Sequence, residues 1–307
     1  MIEKSIEDLF DISNEVKAAL SSNTPVVSLE SHAVMQGIPF PDNIEIYQKI
    51  SGIAKDQGVV PALIGIVDGK IKVGFSVDEL EGAIKKNNLR KVNSSAIAST
   101  LSQMASGGTT ISATAFLSHL IGIDIFVAGG IGGVHHGSRF DISADLFELA
   151  KNPILLICSG AKAILDLLST VELLESLTIP VIGYQTDTYP GFFLTDTGIP
   201  LLNRVDEVEG IVDQYRLHRA LGKKTALIVV EPPPEGNSLE KDQYQQALAI
   251  AYDQAQTKNI AGGDLTPFLL QQINTHFKGV LFPIIKGVLE NNLGLGCEIA
   301  IQLKARK

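Results

Sequence analysis

Short apolar runs that read as buried strands alternate with helical patterns along most of this chain. PVVSLE, IDIFVAGG, PILLICSG, IPVIGYQTD and KTALIVVEPPPEG carry the strand pattern. SSAIASTLSQMAS, TTISATAFLSHLIG, ISADLFELAKN, AKAILDLLSTVELLESL and a polar stretch over 205–220 carry the helical one. That rhythm predicts the α/β class, as a three-layer α/β/α sandwich whose central sheet is mainly parallel and covered by helices. PALIGIVDGKIKVG sets two β-rich runs on either side of Asp68 and Gly69, a hairpin signal, so the sheet is expected to be mixed. GGTT, 107–110, reads as a glycine turn before its helix, residues 5–20 carry apolar positions at helical spacing, and the tail reads as two further helices. The prolines at 232–234 require the last strand to leave the sheet at Glu231. The 307 residues show no internal repeat, low-complexity tract or linker-like run, which predicts one continuous domain, 1–307.

Composition narrows the function classes. With 45% hydrophobic and 19% charged residues the chain can build a core, so disorder is excluded. A net charge of −9, with lysines and arginines scattered rather than striped, argues against a nucleic-acid partner but leaves room for a small anionic substrate held locally. Cys158 and Cys297 lie in apolar runs with no disulfide or zinc spacing and read as core. MIEKSIEDLFDISNEVKAAL lacks a basic start and an apolar signal core, and no segment stays apolar for the ~18 residues a membrane span needs; a cytoplasmic protein with no membrane partner is expected. Neither a G-x-S-x-G elbow nor an H-E-x-x-H pair is present, which removes the commonest hydrolase and zinc-protease readings.

Open α/β sheets bind ligands at the carboxyl ends of their strands. Three chemically distinctive stretches fall at such ends: Glu30 after PVVSL, GGIGGVHHGSRFDISADL (129–146) after IDIFVA, and SGAK with Lys162 after PILLIC. The glycines of GGTT and GGIGG permit backbone amides to approach a phosphate, with Thr109 or Thr110 adding hydroxyls, although neither stretch is a nucleotide fingerprint and a plain turn is an equal reading. Asp141 and Asp145 stand four apart. Asp141 suits a helix N-cap, the commoner role; with His135 and the glycines nearby it equally suits a Mg²⁺ or Mn²⁺ site with few protein ligands and several waters. Lys162, read as the start of an apolar helix, would have its neutral, nucleophilic amine favoured there, against the bland alternative of a solvated first-turn lysine. Glu30 is either a partly buried general acid or a strand-end carboxylate. His32, His119, His218 and His276 have no metal spacing and read as surface or satisfied core residues.

The ordered set SLESHAVMQGIPFPDN, PALIGIVDGKIKVGFS, RKVNSSAIASTLSQMASGGTTISAT, GGIGGVHHG, DISADL, SGAKAILDLLSTVELLES and IPVIGYQTDTYPGFF covers nearly the whole chain and resembles the pseudouridine-5′-phosphate glycosidase family, also called indigoidine synthase A-like. The resemblance implies reversible cleavage of the C–C glycosidic bond of pseudouridine 5′-phosphate to uracil and ribose 5-phosphate, with a divalent metal, typically Mn²⁺, in a homotrimer. It implies Lys162 as the nucleophile toward the anomeric carbon and Glu30 as the proton donor to the ribose ring oxygen. Asp141 is the implied metal ligand, and Lys91, Ile111, Ser143, Ala144, Asp145 and Asn292 the implied substrate contacts, Ile111 through its backbone.

The chain departs from the family pattern in three places. The family's KVSRRDL is KVNSSAI here, with Ser94 and Ser95 in place of two arginines; its loop before the metal aspartate, approximately HRGAExTFD, is shortened to HHGSRFD; and its ATGG is VAGG. Two other readings follow from these changes and from the lysine chemistry: a phosphosugar-binding regulatory homologue with impaired catalysis, and a Schiff-base lyase acting on another sugar phosphate.

Overall fold

A computed structural model describes residues 6–86, 88–137, 140–260 and 265–305. Nine strands lie side by side in the order β1 (Phe10–Ile12), β4 (Lys70–Val73), β3 (Val60–Val67), β2 (Val26–Glu30), β7 (Ile125–Val127), β8 (Leu155–Cys158), β11 (Leu227–Val230), β9 (Val181–Tyr184) and β10 (Arg204–Val205). Two more, β5 (Arg90–Val92) and β6 (Gly107–Thr109), branch from β3. The described pairs are parallel except β3 with β4 and β3 with β6, so the sheet is mixed and mainly parallel. The hairpin falls where the sequence places it: Val67 pairs with Lys70, and Asp68 and Gly69 between them take φ of 48° and 70°, as a two-residue turn matching the strand twist requires.

Side chains alternate across a strand, and both alternating sets are buried here. Ile125, Val127, Leu155, Ile157, Leu227 and Val229 pack on one face against α2 (Asp42–Asp56), α8 (Val208–Ala220) and the distal part of α11 (Leu281–Ala305), with α3 (Val77–Ile84) beside them. Phe126, Leu156, Cys158, Ile228 and Val230 pack on the other against α5 (Ile111–Leu120), α6 (Ala144–Leu149), α7 (Leu167–Ser176), α9 (Lys241–Thr257) and α10 (Leu265–His276). On that second face α1 (Asn14–Ser22) and α4 (Ile97–Ser102) cover the β3–β4 end. Helices on both faces of one sheet make the expected three-layer sandwich. Cys158 and Cys297 are buried free thiols. No helix among the described residues is long and apolar enough to cross a membrane.

Four local expectations are corrected. Within 5–20, Phe10–Ile12 forms β1, paired with β4, and the helix starts only at Asn14, where the Ser13 hydroxyl accepts from Val16 N at 3.3 Å. GGT is a strand rather than a turn, because pairing with both β3 and β5 outweighs the weak strand preference of glycine. The helix after PILLICSG starts at Leu167, capped by Asp166 accepting from Ser169 N at 3.0 Å, so Lys162 lies in a loop and not at a helix start. The tail forms three helices among the described residues, α9, α10 and α11, rather than two.

Candidate active site

The loops that follow β7 and β8 run side by side beyond the strand ends. Ser159 N donates to Gly129 O at 2.8 Å, Ile131 N to Gly160 O at 2.9 Å, and Lys162 N to Ile131 O at 3.0 Å, which anchors the backbone of Lys162 against the GGIGG loop. From α11, Asn292 supports both loops: its amide donates to Ala128 O at 2.8 Å and its oxygen accepts from Ser159 Oγ at 3.0 Å, in a fully buried position. From α6, the buried Asp145 carboxylate accepts from Gly132 N and from Ser112 N, each at 2.9 Å, tying the glycine loop to the start of α5. A Cβ on Gly132 would fall 2.8 Å from that carboxylate, so this approach needs glycine. The α6 cap is Ser143, whose hydroxyl accepts from Asp145 N at 3.2 Å just before Ala144 opens the helix. The capping role considered for Asp141 is therefore corrected: Asp141 lies outside the helix, and its carbonyl accepts from His135 N at 3.0 Å.

Glu30 ends β2 beside these loops, and Lys91 approaches from β5, opposite Gly108 of β6. Thr109 is fixed by Ser31 Oγ, which accepts its N–H at 3.0 Å, and Thr110 precedes Ile111 as the residue before α5. Their mutual electrostatic influence places these groups near one another, with Glu30 and Lys162 half-buried and Lys91 at the exposed side. Removal from water pushes the Glu30 carboxyl up to about 7; Lys162 opposes the shift, Asp145 adds to it, and Lys91 opposes it. Burial and the positive field of Lys162 lower the Lys91 ammonium, with Asp145 and Glu30 pulling the other way. A carboxyl that titrates near 7 can both hold and release a proton at neutral pH, which is what a general acid requires.

Two histidines complete the site, and the sequence reading missed one. His32 opens the π-helical turn Ala33–Gly37, and its Nδ1 meets Gln36 Oε1 at 3.2 Å. Burial lowers this imidazole to about 4; the Gln36 hydrogen bond opposes that shift, Lys91 and Lys162 reinforce it, and Asp145 opposes it. His135 is lowered by burial, with Asp141 opposing and Lys91 and Lys162 adding to the effect. Its Nδ1 is buried with no hydrogen-bond partner among the described residues. The only sequence signal for His32 was its place two residues beyond a strand-end glutamate; metal spacing was the wrong criterion.

The structure thus groups Glu30, Lys91, Lys162, Asp145, His32 and His135, with Asp141 beside His135 and Ile111 at the adjoining helix start. Asn292 and Ser143 engage protein groups behind and beside the loops. Ser94 and Ser95 serve a local turn, Ser94 N donating to Ser112 Oγ at 3.3 Å and Ser95 Oγ to Asn93 at 2.8 Å. In the shortened HHGSRFD link, Ser138 and Arg139 lie outside the described residues. A separate apolar groove of about 540 Å³ runs past Leu165, Leu168, Tyr244 and Tyr252 and touches this region only through His136 and Ala163; it contains none of the titrating groups above.

A family model described as indigoidine synthase A like protein matches residues 15–302. The chain belongs to this indigoidine synthase A-like family. A relative from Saccharopolyspora erythraea named pseudouridine-5′-phosphate glycosidase is 40% identical over 291 residues, covering 94% of this chain and 96% of the relative. One of the same name from Staphylococcus aureus is 37% identical over 299 residues, covering 97% of each. The crystal structure of an indigoidine synthase A-like protein from Thermotoga maritima superposes with a TM-score of 0.90 at 32% identity, covering 99% of both chains. The prealnumycin C-glycosynthase AlnA, solved in complex with ribulose 5-phosphate, also reaches 0.90, at 28% identity over 97% of this chain and 98% of its own. Relatives named in this way, with a C-glycosynthase among the similar structures, support an enzyme that acts on a C-glycosyl bond.

Proposed function

We propose that this member of the indigoidine synthase A-like family is a pseudouridine-5′-phosphate glycosidase, which reversibly splits the C–C glycosidic bond of pseudouridine 5′-phosphate into uracil and ribose 5-phosphate. The observation that carries the reading is the strand-end Glu30 carboxyl, pushed by burial up to about 7 beside Lys162 and Lys91. Near-full-length relatives bearing that name support it, as does a solved relative holding a pentose phosphate.

A C–C glycosidic bond offers no leaving-group heteroatom to protonate, so paired-carboxylate hydrolysis is a poor route and covalent capture by an amine a better one. The free amine of Lys162 attacks the anomeric carbon. The bond from that carbon to the ring oxygen breaks, and the Glu30 proton passes to the departing oxygen. The Glu30 carboxylate takes the extra proton from the attacking nitrogen, whose restored lone pair then expels uracil; the uracil carbon takes up that proton, leaving a lysine–sugar imine. Water adds to the imine carbon, releasing ribose 5-phosphate and restoring the amine. Lys91 and the amides at the start of α5, including that of Ile111, suit the anionic end of the sugar phosphate. Asp145, Ser143, Ala144 and Asn292 shape the floor on which it lies.

The donors present fit a water-rich divalent site of the Mn²⁺ type: the Asp141 carboxylate, with the buried Nδ1 of His135, unpartnered among the described residues, close by. Among the described residues no cluster of three or more ligating side chains exists, so waters would complete the shell. Such an ion would supply positive charge for orienting the base. A homotrimer is part of the same proposal, and light scattering on the purified protein measures it.

The test incubates the protein with pseudouridine 5′-phosphate and Mn²⁺ and measures uracil and ribose 5-phosphate beside Lys162→Ala. Uracil release by wild type alone is expected. Folded wild type that releases none defeats the proposal; ribose 5-phosphate binding without turnover would instead point to a regulatory sugar-phosphate binder.

A further inference from the structure

The hydrogen bonds around Gln36 determine which nitrogen of His32 carries the proton. Gln36 Nε2 donates to the Leu89 carbonyl at 3.0 Å, and Gln36 Oε1 accepts from Gly108 N at 3.4 Å. A carbonyl can only accept and a backbone N–H can only donate, so the two contacts fix the amide in one orientation. His32 Nδ1, 3.2 Å from the same Oε1, must therefore be the donor. The neutral ring then has its lone pair on Nε2, at the opposite edge. The arrangement depends on β6 pressing close, since a Cβ on Gly108 would sit 2.6 Å from His32 Cα.

We infer that His32 Nε2 is the hydrogen-bond acceptor that reads an N–H of the uracil ring, making His32 a specificity-determining residue of this site; the inference rests on the reaction proposed above. His135, the other imidazole here, is assigned above to the divalent ion, and the remaining neighbours are suited to other parts. Lys91, Lys162 and the amides at the start of α5 are donors, suited to oxygens. Glu30 is committed to a proton, and both Asp145 oxygens already take backbone N–H groups. Phosphate oxygens need donors, which a lone pair cannot supply. Sugar hydroxyls can pair with either kind of group, but a uracil N–H needs an acceptor. Uracil joined through carbon keeps both of its ring N–H groups, whereas uracil joined through N1 has lost that one, so an acceptor facing N1 also favours the C-glycoside. The low proton affinity of the imidazole, at about 4, keeps the lone pair available throughout the neutral range.

The experiment runs the reaction in the synthetic direction, from uracil and ribose 5-phosphate, with wild type, His32→Phe and His32→Gln. A neutral hydrogen bond corresponds to up to about a tenfold change in affinity, so His32→Phe should raise the KM for uracil about tenfold while that for ribose 5-phosphate stays within about twofold. His32→Gln, whose amide oxygen reaches the Nε2 position, should recover most of the uracil KM. Equal rises in both KM values, or a uracil KM unchanged in His32→Phe, would overturn the assignment while wild-type turnover upholds the proposed reaction. Wild type without turnover would overturn both.

Discussion

Two lysine–carboxylate groupings in this molecule are built from the same residue types and behave in opposite ways. At the β1–β4 edge, the Lys72 ammonium contacts Asp11 at 3.0 Å and Glu79 at 2.6 Å. Burial alone would lower Lys72, but the hydrogen bonds and charges of Glu79 and Asp11 together outweigh it and raise it; Glu79 is lowered, because Lys72 and the Ser76 hydrogen bonds together outweigh burial. At the carboxyl edge of β2 and β8, Glu30 and Lys162 feel each other's field but form no ion pair among the described residues, and there burial wins, raising Glu30 to about 7. Direct contact locks charges in place, whereas separation in a half-buried site leaves a proton free to move. The first grouping is architecture and the second is chemistry.

Substitutions should separate the two. Lys162→Ala removes the proposed nucleophile and should lower kcat by about a thousandfold or more with little change in melting temperature, read by uracil release and calorimetry. Glu30→Gln should cost about a hundredfold or more in kcat and abolish the alkaline limb of the pH–rate profile, since a carboxyl acting as an acid loses its proton as pH rises through about 7. The same raised value stabilises the fold most below the ordinary 4.5, a contribution lost as pH climbs through about 7, so Glu30→Gln should flatten the melting temperature over that window. Asn292→Ala leaves the Ala128 carbonyl and the Ser159 hydroxyl unpaired in the core, which should cost about 2 kcal/mol in denaturant unfolding and lower kcat by displacing the glycine floor. Lys72→Met should cost only about 1 kcal/mol, because Asp11 and Glu79 remain hydrated, and leave kcat unchanged; a large loss of activity there would erase the contrast.

The edge of the sheet where chemistry collects was legible because the strands before Glu30, Gly129 and Ser159 are short apolar runs, broken only at Ser28, that end abruptly. The hairpin was equally legible, Asp68–Gly69 being a local signal read by local geometry. What escaped was decided by tertiary contact. Gly107 and Gly108 become a strand only because β3 and β5 flank them. Ile164 and Leu165 continue the apolar pattern of Leu167 and Leu168 back past the helix's true start, hiding the Asp166 cap. His32 joins the site only because β6 carries Gly108 against it and Gln36 holds its ring.

The central claim is that Lys162 forms a covalent link to the sugar, and reductive trapping tests it most directly. Incubation with ribose 5-phosphate and cyanoborohydride, followed by intact-mass and peptide-level mass spectrometry, should show one pentose phosphate per chain, on the peptide carrying Lys162. An active enzyme whose label falls on another lysine, or that turns over and never labels, would contradict it.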